Sequence, residues 1–214
     1  MKLCALDTST PLASAALFDD GTMIASIERV LDRAHGEGLV PLLIELLGAA
    51  SLTPAAVQRW AVGLGPGSFT GTRIAVATVK GIVIATGAEV VGVSAFDAVS
   101  EGLARREGER IVVALDAMKG EVYVRADGEA PFFAAPAAAS ARLRELLGES
   151  PVVVAGAMAH VLTLGERARV VADAPHDVPH APAIGRLGLR LAPGPVADLE
   201  PEYVRAAEVT RPAV

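Results

Sequence analysis

The chain has 214 residues and a formal net charge of −6 at neutral pH, with 52% hydrophobic, 21% charged and 4% aromatic residues. Its length suits one large domain or two small ones, and its apolar content is ample for a core of small aliphatic side chains. The acidic balance, without any run of Lys or Arg, argues against direct RNA binding, which needs a basic surface to contact phosphates.

Gly, Pro or charged residues interrupt the apolar runs well before the ~18 residues that a membrane span requires. The first residues read as a strand and not as a secretory signal, so we expect a cytoplasmic protein. The single cysteine, Cys4, excludes an internal disulfide and a site built from several thiolates. Its apolar neighbours predict a buried structural thiol.

Hydrophobic periodicity and turn residues predict alternating strands and helices in the first half of the chain. The predicted strands are residues 2–6, 13–18, 22–30, 60–63 and 90–93, and the predicted helices are residues 37–50, 73–86 and 95–105. The pair Asp20-Gly21 predicts a tight hairpin between the second and third strands. Pro41 falls in the first turns of its helix, where its missing N–H costs little, and Gly87 predicts a C-terminal cap.

The second half, from about residue 110, repeats the order of the first. Each half opens with a buried strand ending in Ala-Leu-Asp, followed by a turn, a second strand and an Asp-Gly hairpin. This shared order predicts a duplicated α/β unit, with lobes at residues 1–105 and 106–214. The remaining predicted elements are strands at 111–115, 121–126, 152–155 and 170–172, helices at 140–147, 157–164 and 184–191, a linker or frayed helix at 134–141, a proline-rich loop at 174–182 and a disordered tail from Thr210.

Residues 65–71 read GPGSFTG, a glycine-built turn in front of an apolar helix. The turn lacks the Lys of a Walker phosphate loop, and its glycines have the wrong spacing for the dinucleotide fingerprint. It can still present backbone N–H groups and the Ser68 and Thr70 hydroxyls at a helix N-terminus, which attracts anions. The simpler interpretation, that one of these hydroxyls only caps the helix, stays open beside phosphate binding.

The helix behind this turn is apolar on nearly every side, so more than one of its faces must be covered. It is either buried within its own domain or presents one face to a partner chain. The Leu-rich helix at 37–50 also carries more apolar residues than one face requires, which favours an interface. The candidate interface residues are Leu39, Leu42, Leu43, Leu46, Ile74, Ala77, Thr78, Gly81 and Ala85.

Two aspartates, Asp7 and Asp116, end the paired strands, where two-lobed nucleotide-binding proteins hold magnesium and phosphate. Neither is followed by the Gly-Ser/Thr pair that lets phosphate reach the backbone, so an Asx turn at each strand end is the other interpretation. His176 and His180 have the spacing of some metal pairs, but the prolines around them predict a solvated loop without a metal. The sequence shows no triad order or nucleophile elbow that would carry hydrolase chemistry.

Five stretches, in order over almost the whole chain, resemble the TsaB (YeaZ) family, a bacterial subunit of the tRNA threonylcarbamoyladenosine machinery. They read CALDTST at residues 4–10, GLGPGSFTGTRIAVATVKG at 63–81, VVGVSAFDA at 90–98, ALDAMKGEVYV at 114–124 and LEPEYVR at 199–205. The resemblance implies the actin, hexokinase and Hsp70 fold, with two similar, ribonuclease H-like α/β lobes whose mixed sheets are flanked by helices. It also implies a non-catalytic subunit.

By this resemblance the chain binds the transferase TsaD through the helices at 37–50 and 73–86, and the ATPase TsaE joins the complex. TsaD then transfers threonylcarbamoyl to the tRNA adenosine beside the anticodon, so this chain meets tRNA only indirectly. The resemblance further implies a homodimer through the same surface, ATP and magnesium only at the level of the complex, and no membrane contact.

TsaD carries a His-x-x-x-His metal pair, where this chain offers His35 with Leu39 four residues on, so metal-dependent transfer is not expected. The alternative function is a small magnesium-dependent ATPase or phosphotransferase of the same superfamily that uses Asp7 and Asp116.

Overall fold

The computed structural model describes residues 1–31 and 35–205, without the side chains of residues 35–37. The predicted tail from Thr210 and the His35 side chain lie outside the described residues.

The first sheet has the order β3-β2-β1-β4-β5 and consists of β1 (Lys2–Asp7), β2 (Leu12–Asp19), β3 (Thr22–Val30), β4 (Arg59–Gly63) and β5 (Glu89–Val93). The second has the order β10-β9-β6-β7-β8 and consists of β6 (Arg110–Asp116), β7 (Val122–Ala126), β8 (Phe132–Ala134), β9 (Val152–Ala155) and β10 (Ala168–Val171).

The two sheets have the same topology. In each, the first strand pairs antiparallel with the second and parallel with the fourth, while the third and fifth strands form the edges. The predicted α/β fold with two similar mixed sheets is confirmed. Asp7 and Asp116 therefore end equivalent central strands, β1 and β6.

In the part of the chain that the structure describes, five α-helices cover the sheets: α1 (His35–Ala49), α2 (Phe69–Thr86), α3 (Ala95–Ser100), α4 (Pro136–Leu147) and α5 (Ala181–Arg190). The helices α1 and α2 pack together on one face of the first sheet, and α4 packs on the second sheet. The last helix of each half crosses over, because α3 buries Phe96 and Val99 against the second sheet while α5 buries Ile184 against the first. The division into lobes at residues 1–105 and 106–214 stays a prediction, and these crossed helices join the two sheets.

Three predicted segments differ from the structure. The helix predicted at 157–164 is wrong, because this stretch forms a single 3-10 turn, Ala159–Val161, and then covers the second sheet with the buried Leu162 and Leu164. The helix predicted at 95–105 ends at Ser100, whose hydroxyl donates back to the Phe96 carbonyl. Of the two alternatives predicted at 134–141, a linker or a frayed helix, the structure has a helix, because most of this stretch belongs to α4, which starts at Pro136; β8 was not predicted at all.

One helix in the described part of the chain, α2, has the length and composition of a membrane span, with 18 residues at a mean hydropathy of 1.2. A core helix of an α/β protein meets the same criteria. Here Ala75, Val79 and Val83 are buried against the first sheet, and Gly87 caps the helix as predicted. The described residues therefore contain no clear membrane span.

Candidate functional site

The glycine-built turn at residues 65–71 lies directly against the segment that follows β1. The Ser68 N–H donates to the Ser9 carbonyl at 2.6 Å, and the Thr8 hydroxyl donates to the Gly71 carbonyl at 2.7 Å. A Cβ atom at Gly71 would lie 1.9 Å from the Thr8 carbonyl oxygen, and one at Gly67 would lie 2.3 Å from that of Ser9. These two glycines are therefore required by the close approach of two backbone segments.

Ser68 is the N-cap of α2, which begins at Phe69, four residues before the predicted start at residue 73. Its hydroxyl accepts a hydrogen bond from the Gly71 N–H at 3.2 Å, a contact that contributes ~1 kcal/mol to helices of this kind. Because the N–H groups of Ser68 and Gly71 are both bonded within the protein, the geometry supports helix capping over an anion cradle. The Thr70 side chain is exposed.

Asp7 and Asp116 form the same turn in the two halves. The Asp7 carboxylate accepts from the backbone N–H of Ser9 at 2.8 Å, and that of Asp116 accepts from Met118 at 2.7 Å, two residues later in each case. Both are the Asx turns that the sequence offered as one interpretation. Their surroundings differ, since Asp7 is fully buried and Asp116 is exposed.

Burial raises the pKa of Asp7 to about 6, although its two hydrogen bonds with Ser9 act in the opposite direction. One oxygen of this carboxylate, Oδ2, lies against Gly63, where a Cβ atom would be 1.9 Å away. Within the described residues this oxygen has no hydrogen-bond partner. The carboxylate is thus enclosed in the protein.

A cleft of about 690 Å³ opens between the ends of the two central strands. It brings together three of the four residues predicted for phosphate or nucleotide, Ser68, Thr70 and Asp116, whereas Asp7 does not line it. The charged residues that line the cleft are Asp116, Asp177, Glu202 and Arg205.

The superfamily fold implies a magnesium nucleotide in such a cleft, but the residues present do not fit one. Three carboxylates and one guanidinium line the described part of the cleft, and the guanidinium, Arg205, already forms an ion pair with Glu121. Nucleotide phosphates require positive charge or free backbone N–H groups, and two of the N–H groups in the glycine turn are used internally. The second carboxylate expected for magnesium, Asp7, is buried away from the cleft.

The segment at residues 199–205 crosses from one half of the molecule to the other and forms one wall of the cleft. Leu199 is buried in the core of the first sheet. The Tyr203 hydroxyl accepts from the Arg73 Nε at 2.9 Å, and the Arg73 guanidinium lies 3.6 Å from the centre of the Phe69 ring. Beyond them, Arg205 stacks on Phe133 of β8 at 4.5 Å. Sequence reasoning identified this segment only by resemblance and missed its role, since the contacts join residues that are distant in the chain, such as Arg73 and Tyr203.

The two histidines of the predicted loop do not converge. His180 is buried next to α5, with Nδ1 at 2.6 Å from Glu28 and Nε2 at 2.8 Å from Asp177. Burial would lower the pKa of His180, but the hydrogen bonds to the two carboxylates outweigh it and raise the pKa. His176 bonds to the Val99 carbonyl. The expectation of a solvated loop is therefore wrong for His180, because a distant strand, β3, supplies one of its partners.

The predicted interface residues divide into two groups. Four of them are buried in the core and are not available to a partner: Leu39, Leu42, Leu43 and Leu46. They occupy positions that share one helical face, so the sheet covers all four at once. The same helix instead exposes Val40 and Ile44, at 50% and 66% of their surface.

The predicted residues on α2 are accessible to different degrees. Ala77, Gly81 and Ala85 are exposed, while Ile74 and Thr78 are half-buried. Beside them Ile84 exposes 72% of its surface. The outward faces of α1 and α2 thus form an apolar surface, made of Val40, Ile44, Ala77, Gly81, Ile84 and Ala85, which we call the α1/α2 surface.

Comparison with known proteins gives consistent results. The family model described as "TsaD: tRNA N6-adenosine threonylcarbamoyltransferase" matches residues 27–146. The chain is 35% identical over 124 residues to the tRNA threonylcarbamoyladenosine biosynthesis protein TsaB of Escherichia coli, covering 58% of this chain and 53% of the relative. It is 33% identical to the protein of the same name from Haemophilus influenzae, covering 58% and 52%. The chain spans about half the length of the curated relatives it matches.

Among solved structures, YeaZ from Pseudomonas aeruginosa matches with a TM-score of 0.76 and 29% identity, covering 94% of this chain and 99% of that one. The ethanolamine utilization protein EutJ from Carboxydothermus hydrogenoformans matches with a TM-score of 0.53 and 15% identity, covering 88% and 90%. The second likeness shows the fold alone.

Proposed function

We propose that this chain, which belongs to the TsaD family described as tRNA N6-adenosine threonylcarbamoyltransferase, is of the TsaB (YeaZ) type and is a non-catalytic subunit that binds TsaD in tRNA threonylcarbamoyladenosine biosynthesis. In this role it supports the transfer of threonylcarbamoyl to the tRNA adenosine beside the anticodon, while TsaD carries out the reaction.

The observation that carries this proposal is the α1/α2 surface. Two adjacent helices expose Ile44 and Ile84, and the small Ala77, Gly81 and Ala85 on α2 allow another helix to approach closely. Exposed apolar residues that adjoin one another mark sites of protein association. A helix pair of TsaD would cover these residues and complete a bundle of four helices.

The cleft supports a non-catalytic role. Its residues do not fit a magnesium nucleotide, and its predicted carboxylate Asp7 is buried beneath the turn at residues 65–71 and the segment after β1. No observation on the described residues favours the alternative of a small ATPase or phosphotransferase. ATP and magnesium would then act on the complex through TsaE, which we propose as a further partner.

The remaining properties follow from the same role. The net charge of −6 offers little attraction to phosphates, so we propose that tRNA is contacted by the partners and only indirectly by this chain. When TsaD is lacking, a second copy can cover the α1/α2 surface, which would give a homodimer. Residence in the cytoplasm is part of the proposal, because the modified tRNA is used there.

A binding titration with the TsaD protein of the same organism tests the proposal. Ala77→Arg places a charge and a long side chain in the middle of the α1/α2 surface, so it should weaken TsaD binding at least ~100-fold, since an unpaired buried charge costs several kcal/mol. The matched control is Ala141→Arg, an equally exposed alanine on α4 of the other half.

Isothermal titration calorimetry measures both affinities, and unfolding midpoints show whether the variants fold. The α1/α2 surface is the wrong site if both variants bind TsaD as the wild type does. If the wild-type chain and TsaD do not associate with or without ATP, the proposed function itself is wrong.

A further inference from the structure

The opening of the cleft is surrounded by large, partly exposed side chains. The Arg73 guanidinium covers one face of the Phe69 ring and lies 5.7 Å from the centre of the Tyr203 ring. Phe69 on α2 exposes 48% of its surface, Tyr203 on the crossing segment exposes 49%, and Met118 in the turn after β6 exposes 64%. These residues come from three separate parts of the chain and meet at one opening. Exposed aromatic and methionine side chains around a concavity are typical of sites that bind protein segments.

The turn that carries Met118 is held in place by the Asp116 carboxylate, which accepts the Met118 N–H. Met118, Lys119 and Gly120 all have positive φ angles, at 62°, 53° and 78°. Two of these residues are not glycine, and such a conformation is uncommon for residues with a side chain. The tight turn leaves the Met118 side chain exposed at the opening. The second Asp116 oxygen takes no part in the hydrogen bond with the Met118 N–H.

Inside the opening, Asp116 is the exposed carboxylate. Of the other two, Asp177 is hydrogen-bonded to His180, and burial raises the pKa of Glu202, while the charge of Arg205 is compensated by Glu121. The ring of Tyr123 also lines the cleft; burial raises the pKa of its hydroxyl, and the neighbouring Asp116 carboxylate adds to this rise. A carboxylate beside aromatic rings attracts a cation both by charge and by the negative face of the ring.

We propose that this cleft binds an arginine side chain that projects from an apolar segment of a protein partner. The guanidinium would lie against Asp116 and the Tyr123 and Tyr203 rings, while the flanking apolar residues would cover Phe69 and Met118. Arginine suits the site better than lysine, because its planar group stacks on aromatic rings and pairs with a carboxylate through two hydrogen bonds.

The volume and the charge both agree with this occupant. A cleft of about 690 Å³ is larger than one side chain needs and leaves room for the residues on either side. A nucleotide or an RNA strand would bring phosphates against the exposed Asp116 carboxylate, which repels them. The cleft contains Phe69 at the start of α2 but none of the residues of the α1/α2 surface, so the inference does not depend on the proposed function.

The probe is the N-acetylated, C-amidated peptide Leu-Leu-Arg-Phe-Leu, compared with the same peptide in which citrulline replaces arginine. Citrulline has the same shape without the charge. Calorimetry should show binding of the arginine peptide, and binding of the citrulline peptide at least ~10-fold weaker. The variant Asp116→Asn keeps the oxygen that accepts the Met118 N–H and removes only the charge, so it should fold and bind the arginine peptide ~10-fold more weakly.

Glu149→Gln is the matched control, because it removes one exposed carboxylate after α4, outside the cleft. It should leave the affinity unchanged. An equal loss in Glu149→Gln and Asp116→Asn would mean a diffuse attraction to an acidic protein and would overturn the inference. No binding of the arginine peptide at millimolar concentration, equal binding of the two peptides, or tighter binding of ATP would overturn it as well.

Discussion

Two aspartates end the central strands β1 and β6, and each accepts a hydrogen bond from the backbone N–H two residues later. In Asp7 the carboxylate is enclosed, and burial raises its pKa to about 6. In Asp116 the carboxylate is exposed and lines the cleft. A duplicated position has thus acquired two different roles, one within the protein and one at its surface.

At the same scale, His180 joins strand β3 to the wall of the cleft by bonding to Glu28 and Asp177. Both of its ring nitrogens face carboxylates, so the folded protein favours the doubly protonated ring. Because the folded state holds this proton more tightly than the unfolded chain, the stabilisation is complete below the ordinary pKa of 6.5 and is lost as the pH rises through the raised pKa of His180.

We therefore predict that the free energy of unfolding, measured with urea, decreases as the pH rises above 6.5 and through the raised pKa of His180. The substitution His180→Gln should remove most of this decrease in the free energy of unfolding, because Gln does not titrate. The exposed His160 provides the control, and His160→Gln should retain the wild-type pH dependence. A pH dependence that is the same in all three proteins would show that His180 is not its cause.

At the scale of elements, the crossing of α3 and α5 is the feature that spacing along the chain could not reveal. The periodicity of α5 indicates an apolar face, and the structure places that face on β1, β2 and β4, about 120 residues or more earlier in the chain. The leucines of α1 show the same limit of sequence-based prediction. Their spacing predicts a buried face but does not indicate whether the sheet or a partner covers it.

Two isoleucines test this account of the helices. Ile184 on α5 is fully buried in the first sheet's core, whereas Ile84 on α2 is 72% exposed. Ile184→Ala should lower the free energy of unfolding by about 2–5 kcal/mol, because it leaves a cavity. Ile84→Ala should change it by less than about 0.5 kcal/mol, as for other exposed positions. Urea unfolding measures both, and similar effects of the two substitutions would contradict the observed packing of α5.

At the scale of the whole molecule, two sheets with the same topology are held together by the crossed helices and by the segment at residues 199–205. That segment buries Leu199 in the first core, and its Arg205 contacts Phe133 of the second sheet. Because each half contributes a helix that packs on the sheet of the other half, we expect both halves to unfold together.

The only tryptophan, Trp60, is buried in the first sheet, so its fluorescence follows the first half, while far-UV circular dichroism follows the whole chain. We predict that the two signals give the same urea midpoint. Val153→Ala, which deletes methyl groups from the second sheet, should shift the Trp60 midpoint to lower urea as well. Separate midpoints, or a Trp60 signal that Val153→Ala leaves unchanged, would show that the halves unfold independently.

The sequence by itself determined the features that depend on neighbouring residues. The apolar runs gave the central strands, and the repeated Ala-Leu-Asp order predicted the duplication. Capping of the helix by Ser68 or Thr70 was one of the two interpretations that the turn at residues 65–71 left open. These signals are local, because strand, turn and cap geometry are set within a few residues.

Only the tertiary structure decided what covers each apolar face and which polar groups meet. His180 and Glu28 are 152 residues apart in the chain, and nothing in the spacing of either predicts their contact. The cleft, the burial of the α1 leucines and the replacement of a predicted helix by the turn Ala159–Val161 depend on the same kind of distant contact. Periodicity indicates that a face is buried, whereas the surface that buries it is selected by the packing of the whole chain.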